Sequence, residues 1–218
     1  MSGHIGRGAA AIALLAALAG CGNMGNEGPS ALGMTRQALG QIAAERAAAR
    51  TPAPAPDPAR MAAEALSVNK GPLILAGLES LNTTQVLALT GENGGMRTYM
   101  TSNEQALILR GGMVVGTRGL GNDLSVAEAG QAAALIRAGR SGSAQRIMRY
   151  YTGDGLERPL VFDCTIGPGP KAGVMVEDCQ GHGARFQNSY LVSGGGIGVS
   201  RQWIGPGLGY VTIQTLRP

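Results

Sequence analysis

Histidine is nearly absent from this chain: of two in 218 residues, His4 lies at the extreme N-terminus and only His182 falls in the later sequence. A Ser-His-Asp arrangement would have to use His182, yet no serine sits in a Gly-x-Ser-x-Gly elbow. A lone histidine in the turn-like QGHGAR, with no recognisable partner motif, reads as a polar turn residue. Phosphate-cradle order is missing too. The glycine run at Gly194, Gly195 and Gly196 has neither a lysine nor a following helix, so it reads as a turn. An excess of one charge is lacking: 18 basic and 14 acidic residues give a formal net charge of +4, too little to argue for nucleic acid as a partner. Asp123, Asp154, Asp163, Glu177 and Asp178 could supply an acid and a base for cutting a glycosidic bond, but sequence spacing cannot set two carboxyls at the required separation. The chain therefore reads as non-enzymatic, with no cofactor and no resident metal.

A membrane-spanning run is also missing. The uncharged stretch over residues 9–20 is too short to cross a bilayer, which takes about 20 apolar residues. A start carrying Arg7 and no acid, a short apolar centre and small residues before Cys21 instead describe a secretory leader. Leu18-Ala19-Gly20-Cys21 resembles the lipobox of bacterial lipoproteins, in which cleavage precedes a cysteine already carrying diacylglycerol. That resemblance implies lipidation at Cys21 after removal of residues 1–20, and a three-chain anchor at about 0.8 kcal/mol per buried methylene would hold permanently. Gly22, in place of an aspartate, implies sorting to the outer membrane, facing the periplasm.

Beyond the leader, residues 21–67 read as a tether. It holds a helix candidate over 34–50, then TPAPAPDPAR over 51–60, whose prolines favour an extended conformation, and a short helical turn over 59–66. From residue 68 to 218 the texture changes to short apolar runs punctuated by glycine, about ten strands in all, with a tight hairpin at Arg110-Gly111-Gly112. One helix interrupts them. Ser125 and Glu128 have the spacing of a capping box, Ala129, Ala132, Ala133, Leu135 and Ile136 form the inward face, and Gly139 ends it. The expected fold is mostly β with some α, an antiparallel sandwich or barrel-like domain with one capped helix.

Three cysteines leave one pair once Cys21 is lipidated. Cys164 and Cys179 flank a Gly-Pro-rich turn between two strand-like segments, and in an oxidising compartment a disulfide is their expected state. The alternative is a zinc site adding His182, but the long gap between the cysteines does not match the close pairs of structural zinc motifs.

Three stretches resemble the YjbF family of lipoproteins, related to the group 4 capsule lipoprotein GfcB: LILRGGMVVGTRGLGNDL over 107–124, RFQNSYLV over 185–192 and SRQWIGPGLGYVTIQTLRP over 200–218. TRGLGNDL is the most specific part. Leu191 stands where close relatives would carry tryptophan. The resemblance implies participation in capsule or exopolysaccharide production beside a periplasmic partner and a large outer-membrane barrel protein, and it brings no catalytic residues. Arg118 and Asp123 are expected to pair and fix their loop. Trp203 and Tyr210, beside Arg201 and Gln202, are the candidates for sugar or protein contact, with core packing as the other reading of Trp203. The expected protein is thus a non-catalytic outer-membrane lipoprotein assisting polymer export. The alternative is a periplasmic protein that binds or modifies polysaccharide.

Overall fold

The computed structural model describes residues 57–151 and 153–218. The leader, Cys21, the expected helix over 34–50 and the prolines of 51–56 lie outside the described residues. The first described element is helix α1, Pro58–Val68. Its start is written locally: Asp57 Oδ1 accepts from the Ala59 amide at 3.0 Å, and Pro58 occupies the first turn, where a missing N–H costs nothing. Its end is held from a distance, because the Arg217 guanidinium donates to the carbonyls of Leu66 (3.2 Å), Asn69 and Gly71 (3.3 Å).

Twelve strands follow. The first five are β1 Leu73–Leu78, β2 Thr83–Asn93, β3 Met96–Met100, β4 Ala106–Arg110 and β5 Met113–Arg118. After β6 Leu124–Glu128 comes helix α2, Gly130–Arg137, and then β7 Gly142–Tyr151, β8 Glu157–Pro168 and β9 Val174–Gly181. The chain closes with β10 Ala184–Ser193, β11 Gly196–Gly205 and β12 Gly209–Arg217. Each strand pairs antiparallel with its neighbour in sequence except β5 and β6, while the last strand, β12, pairs with the first. The result is a nearly closed barrel whose break lies inside the chain, between two consecutive strands.

Two-residue turns set much of this register. Gly94 with Gly95, Gly111 with Gly112, His182 with Gly183 and Gly194 with Gly195 all have positive φ at both positions, the geometry that matches the twist of a tight hairpin. His182 is the non-glycine among them, at φ 49°. Between the turns the strands alternate. On β7 to β10 the inward positions include Met148, Phe162, Ile166, Met175 and Phe186, all buried. Outward positions carry Gln145, Asp163, Thr165, Asp178, Gln180 and Gln187. This order is the reverse of a membrane barrel, which is apolar outside. Among the described residues, no helix is long and apolar enough to cross a membrane.

The region around residue 125 departs from expectation. Ser125 and Glu128 do not cap a helix; they belong to β6, and α2 begins at Gly130 with no side-chain cap. Tertiary partners override the local signal: Leu124 and Ala127 are buried, the Ser125 hydroxyl donates to Glu157 Oε1 at 2.5 Å, and Glu128 pairs with Arg149. The end of α2 follows its sequence. Gly139 has φ 63°, its amide reaches Ile136 O at 3.0 Å and the Arg140 amide reaches Leu135 O at 2.9 Å, a Schellman closure.

Candidate functional site

The residues singled out by the sequence collect around the places where the barrel's backbone ladder stops. At the break between β5 and β6, Arg118 donates to the carbonyls of Thr117 (2.5 Å), Leu124 (3.2 Å) and Ser125 (3.4 Å), bridging to the strand that β5 does not pair with. Asp123 does not meet this guanidinium. Its carboxylate accepts from the Thr117 hydroxyl (2.8 Å) and from the amides of Gly119 (2.9 Å) and Leu120 (3.1 Å), while Thr117 Oγ1 accepts from the Leu124 amide at 2.9 Å. The expected pairing of the two residues is thus replaced by separate bonds from each to the backbone, which leaves fewer main-chain groups unpaired at the seam.

Gln202 performs a similar task from across the barrel. Fully buried, it accepts from the Val114 amide through Oε1 at 2.9 Å and donates through Nε2 to Gly112 O and Ser200 Oγ, both at 2.9 Å. The β10–β11 ladder stops at Ser189 opposite Arg201. Past that point Asn188 Oδ1 accepts from the Trp203 amide at 2.7 Å and the Tyr210 hydroxyl accepts from the Gln187 amide at 3.2 Å. Trp203 stacks on Phe186 with centroids 4.4 Å apart and meets the edge of Phe162 at 5.6 Å. Arg201 lies 3.5 Å over the Tyr210 ring and grips Glu79 with two bonds of 2.6 and 2.7 Å. That hydrogen bonding holds the Glu79 carboxyl below its ordinary value, against the opposite push of partial burial.

These bonds bring two distant motifs together at one end of the barrel. A Cβ on Gly207 would stand 2.6 Å from Asn122 Cβ, so the turn from β11 to β12 is pressed onto the loop from β5 to β6. Gly205, at φ 136°, faces the Tyr150 ring, whose hydroxyl donates to Ile204 O at 3.0 Å. Beside this contact lies a pocket of about 390 Å³ lined by Asn122, Asp123, Tyr150, Tyr151, Pro206 and Gly207. Burial raises the Tyr150 hydroxyl far above the usual phenol range.

The remaining candidates are dispersed. Cys164 and Cys179 stand opposite each other on β8 and β9 and are joined by a disulfide. His182 Nε2 accepts from the Val161 amide at 3.0 Å, so it caps a neighbouring backbone group from its turn. Among the described residues, one cluster of possible metal donors is seen, Cys164, Glu177 and Cys179; its sulfurs are bonded to each other and its carboxylate is held by Arg146. Asp163 and Asp178 lie on the exposed outer face and accept from the side-chain Nε2 groups of Gln145 (3.1 Å) and Gln187 (2.7 Å). Asp154 is also exposed and pairs with Arg158 at 2.5 Å.

Sequence reasoning missed the polar centre of the barrel. Arg146 donates from Nε and Nη2 to Glu177 at 3.3 and 2.8 Å, and Nη2 also reaches the Tyr190 hydroxyl at 3.1 Å. Asn188 and Tyr190 each donate to Glu177 Oε2 at 2.8 Å. Burial works against the Arg146 charge, but Tyr190 and Glu177 outweigh it and keep the guanidinium protonated; burial also drives the Tyr190 hydroxyl well up. The available signal was parity: Arg146 and Glu177 both occupy inward positions of otherwise apolar alternations.

Among solved structures, the chain is similar to the crystal structure of the hypothetical lipoprotein YmcC from Escherichia coli K12. The TM-score is 0.60 at 15% identity, over 88% of this chain and 98% of that one, which is a likeness of fold. Among curated proteins, no sequence matches the chain. Residues 36–216 match the family described as group 4 capsule polysaccharide lipoprotein GfcB, YjbF, and the chain belongs to that family.

Proposed function

We propose that this protein is a non-catalytic lipoprotein of the outer membrane, facing the periplasm, that assists export or assembly of a capsule or exopolysaccharide through contacts made by its barrel. Residues 1–20 serve as the leader, Cys21 carries the lipid, 21–67 form the tether and 68–218 the working domain. An outer-membrane barrel protein and a periplasmic protein of the same system are its partners, and nucleic acid is not among them. The observation that carries this reading, beside family membership, is that the residues of the family-like motifs are engaged in closing the barrel: Arg118 and Asp123 at one break, Gln202 across the interior, Trp203 and Tyr210 at the other. Such residues build a rigid body rather than a reacting centre.

The test is genetic and biochemical. Deletion should reduce secreted polymer, and complementation by the parent chain or by Asp163→Asn with Asp178→Asn should restore it. Cys21→Ser should lose membrane retention, restore little polymer and fail to retain an outer-membrane barrel partner in a pull-down. Loss of polymer in the double carboxamide variant with a normally folded chain would favour the polysaccharide-modifying reading. Full function of Cys21→Ser would remove the anchor from the proposal.

A further inference from the structure

Arg201, Gln202, Trp203 and Tyr210 are occupied within the fold, and beside them the structure leaves a different set open. In the pocket between the β5–β6 loop and the β11–β12 turn, Tyr151 is 69% exposed. Among the described residues, neither its hydroxyl nor the Asn122 side-chain amide bonds to another group. Asp123 Oδ2 accepts one bond, from the Gly119 amide, and so retains lone-pair capacity. Gly207 and Pro206 form the opposite wall, and among the described residues no lysine or arginine lines the space.

Resting on the capsule reading above, we infer that this pocket binds an uncharged sugar unit of the polymer. A pyranose offers an apolar ring face and a rim of hydroxyls. Tyr151 supplies a flat apolar surface for the first, and Asn122, as donor and acceptor, together with the acceptor Asp123 Oδ2, answers the second. A volume of about 390 Å³ falls in the range of small-ligand sites and has room for one or two sugar rings. Without a cation on the wall, and with the Asp123 carboxylate present, an acidic sugar is disfavoured there. The close approach of Gly207 to Asn122 fixes the position of the Asn122 side chain, so the two motifs together both shape the site and supply its polar contacts.

The probe is a set of oligosaccharides released by mild acid from the secreted polymer of the bacterium that carries this chain. They are titrated calorimetrically against the full-length protein purified in detergent from envelope membranes. Tyr151→Ala and Asn122→Ala should each weaken binding at least tenfold with an unchanged melting temperature, whereas Tyr151→Phe, which keeps the ring, should bind within about threefold of the parent. Gln187→Ala, on the outer face of β10, serves as control and should bind as the parent does. No binding by the parent, equal binding by Tyr151→Ala, or a loss confined to Gln187→Ala overturns the pocket assignment and leaves the capsule role standing. The capsule role itself falls only if gene deletion leaves secreted polymer unchanged.

Discussion

The wall from β7 to β10 and the seams at β5–β6 and β10–β11 solve one problem by different chemistry. In the wall, backbone ladders carry the pairing: β7 pairs with β8 from Gly142 to Tyr151 and β9 with β10 from Val174 to Gly181, and only where β8 runs on past Asp163 does a side chain, His182, take the Val161 amide. Register there needs only alternation and a tight turn, and the disulfide and the Arg146 network reinforce a sheet already complete. At the seams the ladder ends and side chains complete it, Arg118 and Gln202 at one, Asn188 and Tyr210 at the other. An alternating wall accepts many sequences, but a seam requires particular donors and acceptors at particular places. The most specific motifs of the chain therefore lie at its seams.

The sharpest way to break the wall is through its buried charge. Arg146→Met leaves the Glu177 carboxylate in the core with only Asn188 and Tyr190, and should cost about 3–5 kcal/mol in urea unfolding. Replacing both, Arg146→Met with Glu177→Leu, should recover most of that loss, because no orphaned charge remains. A double variant as unstable as the single would mean that the network contributes more than mutual neutralisation.

The disulfide comes next. Cys164 and Cys179 are 15 residues apart, and replacing both by alanine should cost about 3 kcal/mol by freeing the unfolded chain. The β8–β9 ladder already aligns the two strands, so the native fold should persist. Near-ultraviolet circular dichroism and urea midpoints, compared with the parent refolded under reductant, check both statements.

The seams should respond to smaller edits with a middle-sized effect. Gln202→Ala strands the Val114 amide in the interior, and Gly207→Ala drives a methyl group toward Asn122 at 2.6 Å; each should cost about 1–3 kcal/mol. Gly130→Ala provides the contrast, since nothing lies within 4 Å of the added carbon and alanine suits a helix; it should be neutral or slightly stabilising. Thermal unfolding of the three variants in parallel tests whether seam contacts or general glycine effects matter.

The same division explains what the sequence made legible. Wall strands follow period two, and their segments stand out between glycine turns; the Arg110-Gly111-Gly112 hairpin and the pairing of Cys164 with Cys179 follow from strand logic. Helix α2 is legible at its Gly139 end, where the stop is local, and misleading at its start, because Ser125 to Glu128 carries a capping pattern while the barrel uses those residues as β6. Nothing local announces that Arg118 serves carbonyls rather than Asp123, since the choice depends on where β6 comes to lie. The inward Arg146 and Glu177 are hidden for a related reason: each looks like a surface charge until its strand parity is known.

The smallest effect tests the rim of the second seam, where Arg201 links Glu79 to the Tyr210 ring. The Glu79 carboxyl is held below its ordinary 4.5 by the Arg201 hydrogen bonds, so the folded state favours its ionised form. Stability from this source is fully present above pH 4.5 and disappears as the pH falls through the lower folded value. Because the Glu79 side chain is 43% exposed, solvent screens the pair and its contribution should be under about 1 kcal/mol. Glu79→Gln should therefore melt slightly below the parent at pH 7, the gap closing as the pH falls through the folded value of Glu79 and, at pH 7, narrowing in high salt. A gap that does not change as the pH falls would mean that Glu79 acts through packing against β12 and not through its charge.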